Sequence, residues 1–274
     1  MNLYKHDIVV IIPSKGRAST CSTHLSMPHD IQWMYMVMPG ELDDYTKVVG
    51  KDHVALHEYG VVPTVANHRQ SVIEFATPWW RKVIMMDDDL RFMWRTQEGK
   101  LQPSDPDHVR SMIMEVAYHL DFVPMVGVGP RMGNNRLTGD YVEINRCCAC
   151  VGFDTKIFKE ARCQFNPVPW LVGEDVHVNL QILNAGYKNR LLSCYAFVEK
   201  SGAEGGCSTH RTSETMRRSA YWLAEHHPEI TVKVKESSNK GWATDTKAGR
   251  NFRVDFTVQW KKAYKPKKRE GGLF

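Results

Sequence analysis

Apolar and polar residues follow two different rhythms along this chain. Near the start, Ile8-Val9-Val10-Ile11-Ile12 is an unbroken apolar run stopped by Pro13, the pattern of an interior parallel strand covered on both faces. A second run, Trp33 to Met38, closes at Pro39-Gly40, and a short third one is Val54-Ala55-Leu56. From Thr64 to Ala76 the period becomes helical. Val65, Val72, Ile73 and Ala76 share a face, with Thr64 as candidate N-cap and Pro78 as the stop. Lys82 to Met86 is again strand-like and runs straight into Asp87-Asp88-Asp89. A helix is expected over Pro106 to Leu120 and a strand over Met125 to Val128. Strands alternating with helices predict an α/β fold, a mainly parallel sheet with helices on both faces. In such sheets ligands bind beyond the carboxyl ends of the strands. Ser14-Lys15-Gly16-Arg17 and the triple Asp both fall there.

The C-terminal third has another pattern. Thr212 to His227 predicts a helix ended by Pro228. Ile230, Val232 and Val234 then alternate with Thr231, Lys233 and Lys235, and Phe252, Val254, Phe256, Val258 and Trp260 alternate with Arg253, Asp255, Thr257 and Gln259. These are two half-buried strands expected to pair. Their polar connection, residues 237–249, carries Lys240, Trp242 and Lys247 and is long for a hairpin. The expected division is a main unit over 1–211, a C-terminal helix and β-hairpin packed on it over 212–260, and a tail over 261–274.

Composition narrows this picture in three places. With 274 residues, 42% hydrophobic and 24% charged, the chain buries a sizeable core and is not a disordered sequence. The run at Ile8 is far too short to cross a membrane and lacks a signal-peptide layout, so no membrane partner is expected. Seven cysteines without framework spacing predict reduced thiols and a cytoplasmic protein. The net charge of +5 is mild, but Lys261 to Arg269 (KKAYKPKKR) holds six basic residues and no acid. Such a tail either grips a phosphate backbone by counterion release or is a solvated terminus.

Two acidic clusters carry candidate chemistry. Three consecutive carboxylates repel one another unless a cation neutralises them, and hard divalent ions such as Mg²⁺ or Mn²⁺ take oxygen ligands shared with a substrate diphosphate. On extended chain Asp87 and Asp89 point one way and Asp88 the other, an Asp-x-Asp pair suited to bridging a ribose and a metal diphosphate. The alternative is an exposed acidic turn. Gly173-Glu174-Asp175 heads a helix with Val176, Leu180 and Leu183 on one face, ended at Ala185-Gly186. The acidic pair is either a cap and dipole partner or places Asp175 as a general base. Cys147 and Cys150 form a C-x-x-C without a second pair, which favours buried thiols over zinc. Trp79-Trp80 either stacks on a ligand or packs. There is no phosphate-loop Gly-x-x-x-x-Gly-Lys and no His-Glu-x-x-His.

The order of the pieces adds to this. Ile12-Pro13-Ser14-Lys15-Gly16-Arg17, Gly60 with Ala66-Asn67-His68-Arg69, Met86-Asp87-Asp88-Asp89, Val151-Gly152-Phe153-Asp154, Gly173-Glu174-Asp175 and Asn184-Ala185-Gly186-Tyr187 together resemble the GT-A glycosyltransferases over roughly residues 8–190. His68-Arg69 departs from the small residue many members have there. The compact length, the Pro-Ser-Lys-Gly-Arg start and the Gly205-Gly206 to Arg211 segment are similar to the TET/JBP-associated glycosyltransferases, the family of the base J glucosyltransferase and phage relatives. The resemblance implies a GT-A-like main unit and inverting, metal-dependent transfer of a sugar from a nucleotide sugar, expected to be a UDP-sugar, to a hydroxymethylated pyrimidine in DNA. A phage-encoded enzyme would act in the host cytoplasm. It implies Asp175 as the base and Glu174 as the residue orienting acceptor or sugar. Pro13, Ser14, Lys15, Arg17, Asn67, Arg69, Asp87, Asp88 and Arg211 would bind the donor. Asp89, Asp87 and His210 would hold Mn²⁺ or Mg²⁺. The rival readings are a glycosyltransferase acting on a polysaccharide or protein, a nucleotidyltransferase, which would open on a Gly-rich loop that Pro13 to Arg17 does not supply, and a non-catalytic nucleic-acid-binding module.

Overall fold

A computed structural model of the chain describes residues 7–57, 64–134, 137, 139–199, 212–237, 244–247 and 250–266. The elements run β1 (Ile8–Pro13), β2 (Trp33–Val37), α1 (Leu42–Val49), β3 (Val54–Leu56), α2 (Val65–Ala76), β4 (Lys82–Met86), β5 (Leu90–Arg95), β6 (Leu101–Pro103) and α3 (Pro106–His119). They continue through β7 (Met125–Pro130), α4 (Arg131–Asn134), β8 (Tyr141–Glu143), β9 (Cys150–Asp154), α5 (Thr155–Glu160), α6 (Glu174–Asn184) and β10 (Arg190–Glu199). The C-terminal part holds α7 (Ser213–His226), β11 (Ile230–Ser237), β12 (Thr244–Lys247), β13 (Arg250–Val258) and α8 (Trp260–Ala263).

The fold is α/β. Its sheet has the order β3-β2-β1-β4-β9-β7-β10-β5-β6, with β8 also paired to β10. The strands β3, β2, β1 and β4 are parallel, as their unbroken apolar runs predict. Strand β9 is inserted antiparallel between β4 and β7. Strand β10 changes partners along its length: it pairs with β8 at Arg190 to Leu192 and with β5 at Tyr195 to Glu199.

The β1 run divides between two cores. Val9 and Ile11 pack with Val72 and Ile73 of α2 and Val178 and Ile182 of α6, while Ile8, Val10 and Ile12 pack with Val109, Met112 and Ile113 of α3. Each such side chain contributes roughly 1.5–3 kcal/mol by leaving water, so a strand apolar at every position is stable only between two layers. The caps follow the sequence. Thr64 accepts from the Asn67 N–H, and Asp105 caps α3 with Pro106 in its first turn. A Cβ on Gly152 would lie 2.6 Å from Val116 Cγ1, so α3 approaches β9 as closely as only glycine permits. The expected core thiols Cys147 and Cys150 are buried and unbridged. Trp80 packs against Phe75, and Trp79 is exposed.

Helix α6 is covered all round. Val178 and Ile182 meet the sheet, whereas Val176, Leu180 and Leu183 meet Leu223 of α7, Ile230 of β11 and Ala263 of α8. His177 on the same helix and His227 after α7 are buried and share a 2.7 Å hydrogen bond, Nδ1 to Nε2. The two predicted C-terminal strands, β11 and β13, pair antiparallel, and the long connection contributes a third strand, β12. The basic stretch begins on packed chain: Ala263 is buried and the Lys265 N–H donates to the Leu183 carbonyl. Residues 267–274 lie outside the described part. No helix among the described residues is long and apolar enough to cross a membrane.

Candidate functional site

The first strand ends in a loop tied down from two sides. The Gly16 N–H donates to Glu41 Oε1, the Arg17 N–H donates to the Tyr45 hydroxyl of α1, and Ser14 Oγ lies 2.5 Å from that same hydroxyl. Gly16 takes a positive φ of 68° there, which glycine adopts without strain. Pro13 closes β1 and Lys15 is half-buried beside the loop.

Facing this loop, the triple Asp is a turn and not extended chain. The Asp87 N–H binds the Ala149 carbonyl, the Asp87 carbonyl accepts from Thr23 Oγ1, and the Asp88 carbonyl accepts from the Ser22 and Thr23 N–H groups. The strict alternation expected from the sequence therefore does not apply, because strand geometry stops at Met86. Asp88 is buried on Ser14 Oγ and Arg17, and Arg17 also reaches Asp89 at 3.2 Å. Asp87 turns to Arg69 of α2 at 2.7 Å. Burial, against the opposing pull of Ser14 and Arg17, raises the Asp88 carboxyl above its usual range. Burial and the neighbouring Asp88 charge push Asp89 up to about 6.

The second cluster meets the first. Arg69 bridges Asp87 and Glu174, with Nη1 to Glu174 Oε1 at 3.1 Å, so α2 and α6 are joined at the site. Glu174 also takes the Gly173 N–H. Asp175 is gripped by Arg146, whose Nε and Nη2 lie 2.8 and 2.6 Å from Oδ2. Both contacts fall on one oxygen, and Oδ1 has no protein partner among the described residues. The Asp175 charge holds the Arg146 guanidinium above its ordinary range. A cleft of about 660 Å³ is lined by Arg69, Asp87, Arg146, Cys148, Glu174, Asp175 and Glu199, among others. It places Asp87 and the Glu174/Asp175 pair on one surface.

Asn67 is buried on α2 and accepts from Asn166 Nδ2. Its neighbour His68 is buried edge-on to His57 at 5.0 Å, and burial followed by the His57 charge lowers it to about 3. The residue that departs from the GT-A pattern is thus a neutral core histidine. Gly60, Gly205, Gly206, His210, Arg211, Lys240 and Trp242 lie outside the described residues. Sequence reading missed Tyr45, Thr23, Arg146, Cys148 and Glu199. Arg146 and Cys148 sit in a stretch without periodicity, and Glu199 ends a strand, β10, that went unread.

Among the described residues no three His, Cys, Asp or Glu side chains are gathered to hold a metal ion. Asp87 and Asp89 nevertheless offer hard carboxylate oxygens on one turn. That donor set fits a Mg²⁺- or Mn²⁺-type ion held by one or two carboxylates and completed by water and phosphate oxygens.

Known proteins bear on this geometry at two levels. GalNAc-T7, solved with UDP, GalNAc and Mn²⁺, superposes with a TM-score of 0.52 at 12% identity, over 79% of this chain and 47% of that one. A candidate nucleotide-diphospho-sugar transferase from Desulfovibrio desulfuricans G20 gives 0.43 at 9% identity, over 68% and 80% of the two chains. The 4-diphosphocytidyl-2C-methyl-D-erythritol synthase from Anaerococcus prevotii gives 0.46 at 12%, over 81% and 100%. These likenesses concern the fold. No curated protein matches the sequence. The sequence itself matches the TET-Associated Glycosyltransferase family over residues 8–206, a span that takes in β1 through β10 and both acidic clusters. On that match the chain belongs to the TET-associated glycosyltransferases and is a transferase of sugars.

Proposed function

We propose that the protein transfers a sugar, with inversion, from a nucleotide sugar to the hydroxymethyl group of a modified pyrimidine in DNA. The observation that carries this reading is the shared cleft, in which Arg69 joins Asp87 to Glu174 and Asp175 presents an oxygen that Arg146 does not occupy. Ser14, Lys15, Arg17 and Asp88 form the donor side with Pro13, and Asp87 meets the ribose. Asp175 Oδ1 takes the proton of the acceptor hydroxyl as that oxygen attacks the anomeric carbon from the face opposite the leaving diphosphate. Glu174, fixed by Arg69 and the Gly173 N–H, orients the sugar or acceptor. Asp87 and Asp89, with His210 as a further ligand, would hold a divalent ion, which would neutralise charge on the departing diphosphate.

The DNA acceptor is supported by the family's association with TET oxygenases in its description and by the basic residues near the C-terminus. A base in duplex DNA must first leave the stack, at a cost of a few kcal/mol. The test is mass spectrometry of oligonucleotides containing hydroxymethylcytosine or hydroxymethyluracil, incubated with a panel of nucleotide sugars and Mn²⁺ or Mg²⁺. A hexose mass added to the modified base is expected. Donor hydrolysis with no DNA product would move the acceptor to a polysaccharide or protein. No metal-dependent donor turnover at all would favour the binding-module reading.

A further inference from the structure

The segment 144–149 connects the two halves of the cleft. It carries Arg146, which grips Asp175, and Cys148, which lines the cleft, and its Ala149 carbonyl receives the Asp87 N–H at 2.8 Å. It is bounded by two non-glycine residues in the left-handed region, Ile144 at φ 58° and Ala149 at φ 57°. Such backbone is held only where the surroundings over-determine it.

Two fully buried asparagines do the holding. Asn179 lies one turn after Asp175 on α6. Its Oδ1 accepts from the Cys147 N–H at 3.0 Å and from Asn189 Nδ2 at 2.8 Å. Its Nδ2 donates to the Cys147 and Asp175 carbonyls, both at 2.8 Å. Asn189 closes the other side, donating to the Asn145 carbonyl at 2.6 Å and accepting the Asn145 N–H at 3.0 Å. Every hydrogen-bonding capacity of the Asn179 amide is used, two donated and two accepted, and a carboxylate or an apolar residue of this size supplies at most half. The segment is also pressed onto β7, where a Cβ on Gly127 would lie 2.6 Å from Cys147 Cβ.

We propose that Asn179 and Asn189 are positioning residues of the transfer reaction: they lock the 144–149 segment to α6 so that Arg146 keeps Asp175 directed into the cleft at a fixed distance from Asp87. This rests on the reading of Asp175 as the base. Neither asparagine touches substrate; both act through Arg146 and the backbone that carries it.

The test is a double-mutant cycle with two independent readouts. In the first, transfer from UDP-glucose to a hydroxymethylcytosine oligonucleotide with Mn²⁺ is measured for N179D, R146A and the double variant. N179D is expected to lower kcat by about 10–100-fold with the donor KM within about 2-fold, and to have almost no further effect once Arg146 is gone. An equal loss in both backgrounds, or a donor KM that rises as kcat falls, would mean that Asn179 merely stabilises the fold. The second readout needs no activity and uses the milder N189A. The coupling between Arg146 and Asp175 is obtained from urea unfolding of R146A, D175A and the double variant, with and without N189A. The coupling is expected to vanish in the N189A background, and its persistence overturns the proposal. If the intact protein transfers no sugar from any nucleotide sugar of the panel, the functional reading fails separately, and the unfolding cycle still decides whether the asparagines position the pair.

Discussion

Asp175 lines the cleft, and both of its Arg146 contacts fall on one oxygen, Oδ2. An amide in its place keeps the size and loses the proton acceptor. Asp175→Asn is therefore expected to lower kcat by at least ~10²-fold while donor affinity stays nearly constant, measured by steady-state transfer beside equilibrium binding of the nucleotide. A collapse of donor affinity instead would make Asp175 a cap of α6 and no base. Asp89 makes a different demand, since burial and the Asp88 charge leave it pushed up to about 6. A divalent cation relieves that repulsion and binds only the folded state, so Mn²⁺ should raise the melting temperature of the intact protein by mass action. The same addition should raise that of Asp89→Asn much less, and equal shifts in the two proteins would place the ion elsewhere.

At the scale of elements, α6 carries Glu174 and Asp175 at its start and packs against both the main sheet and the C-terminal part. Its first residue follows Gly173, which has φ 93° and whose added Cβ would lie 3.2 Å from Leu223 Cδ1 of α7. Gly173→Ala combines left-handed strain with a push against α7 and is expected to cost about 1–2 kcal/mol in urea unfolding. Burial and the neighbouring His227 hold His177 at about 3, and burial holds His227 at about 4. Both sit below the ordinary value near 6.5, so the unfolded chain binds protons that the folded one refuses. Their contribution is fully present above about pH 6.5 and is lost as pH falls towards about 4 for His227 and about 3 for His177, with a slope of up to ~1.4 kcal/mol per pH unit for each histidine. His227→Gln should flatten the pH dependence of the urea midpoint across that window. An unchanged slope would mean that the α6–α7 contact tolerates the charge.

For the whole molecule, the basic stretch from Lys261 tests the acceptor. Deleting it all would remove Ala263 and Lys265, which belong to the packing on α6. Removing residues 267–274 takes away Lys267, Lys268 and Arg269 and leaves that packing in place. If these side chains meet duplex phosphates, the shortened protein needs more DNA to saturate, and the slope of log affinity against log salt falls by ~0.9 per lost contact. Donor hydrolysis without DNA should be unchanged, because the deletion leaves Asp87, Asp89 and the β1 loop intact. An identical salt slope for the two proteins would make the terminus a solvated one.

The sequence by itself determined the α/β layering, most of the strand ends and the two acidic clusters. Each of these is a local property: an apolar run needs two covering layers, a Thr or Asp caps the turn that follows it, and carboxylates placed after a strand emerge at its carboxyl end. Only the tertiary structure decided how those carboxylates are neutralised. Arg17 meets Asp88 across 71 positions, Arg146 meets Asp175 across 29 and Arg69 meets Asp87 across 18. Ion pairs leave no period in the chain, so nothing in it marks which arginine is spent on which acid. The same holds for β10, whose two halves pair with different strands, and for Asn179 and Asn189, two unremarkable amides until the fold buries them against one short segment. Periodicity reports what a residue shares with its neighbours along the chain. The site is made from what meets across the folded chain, and that depends on how the layers close.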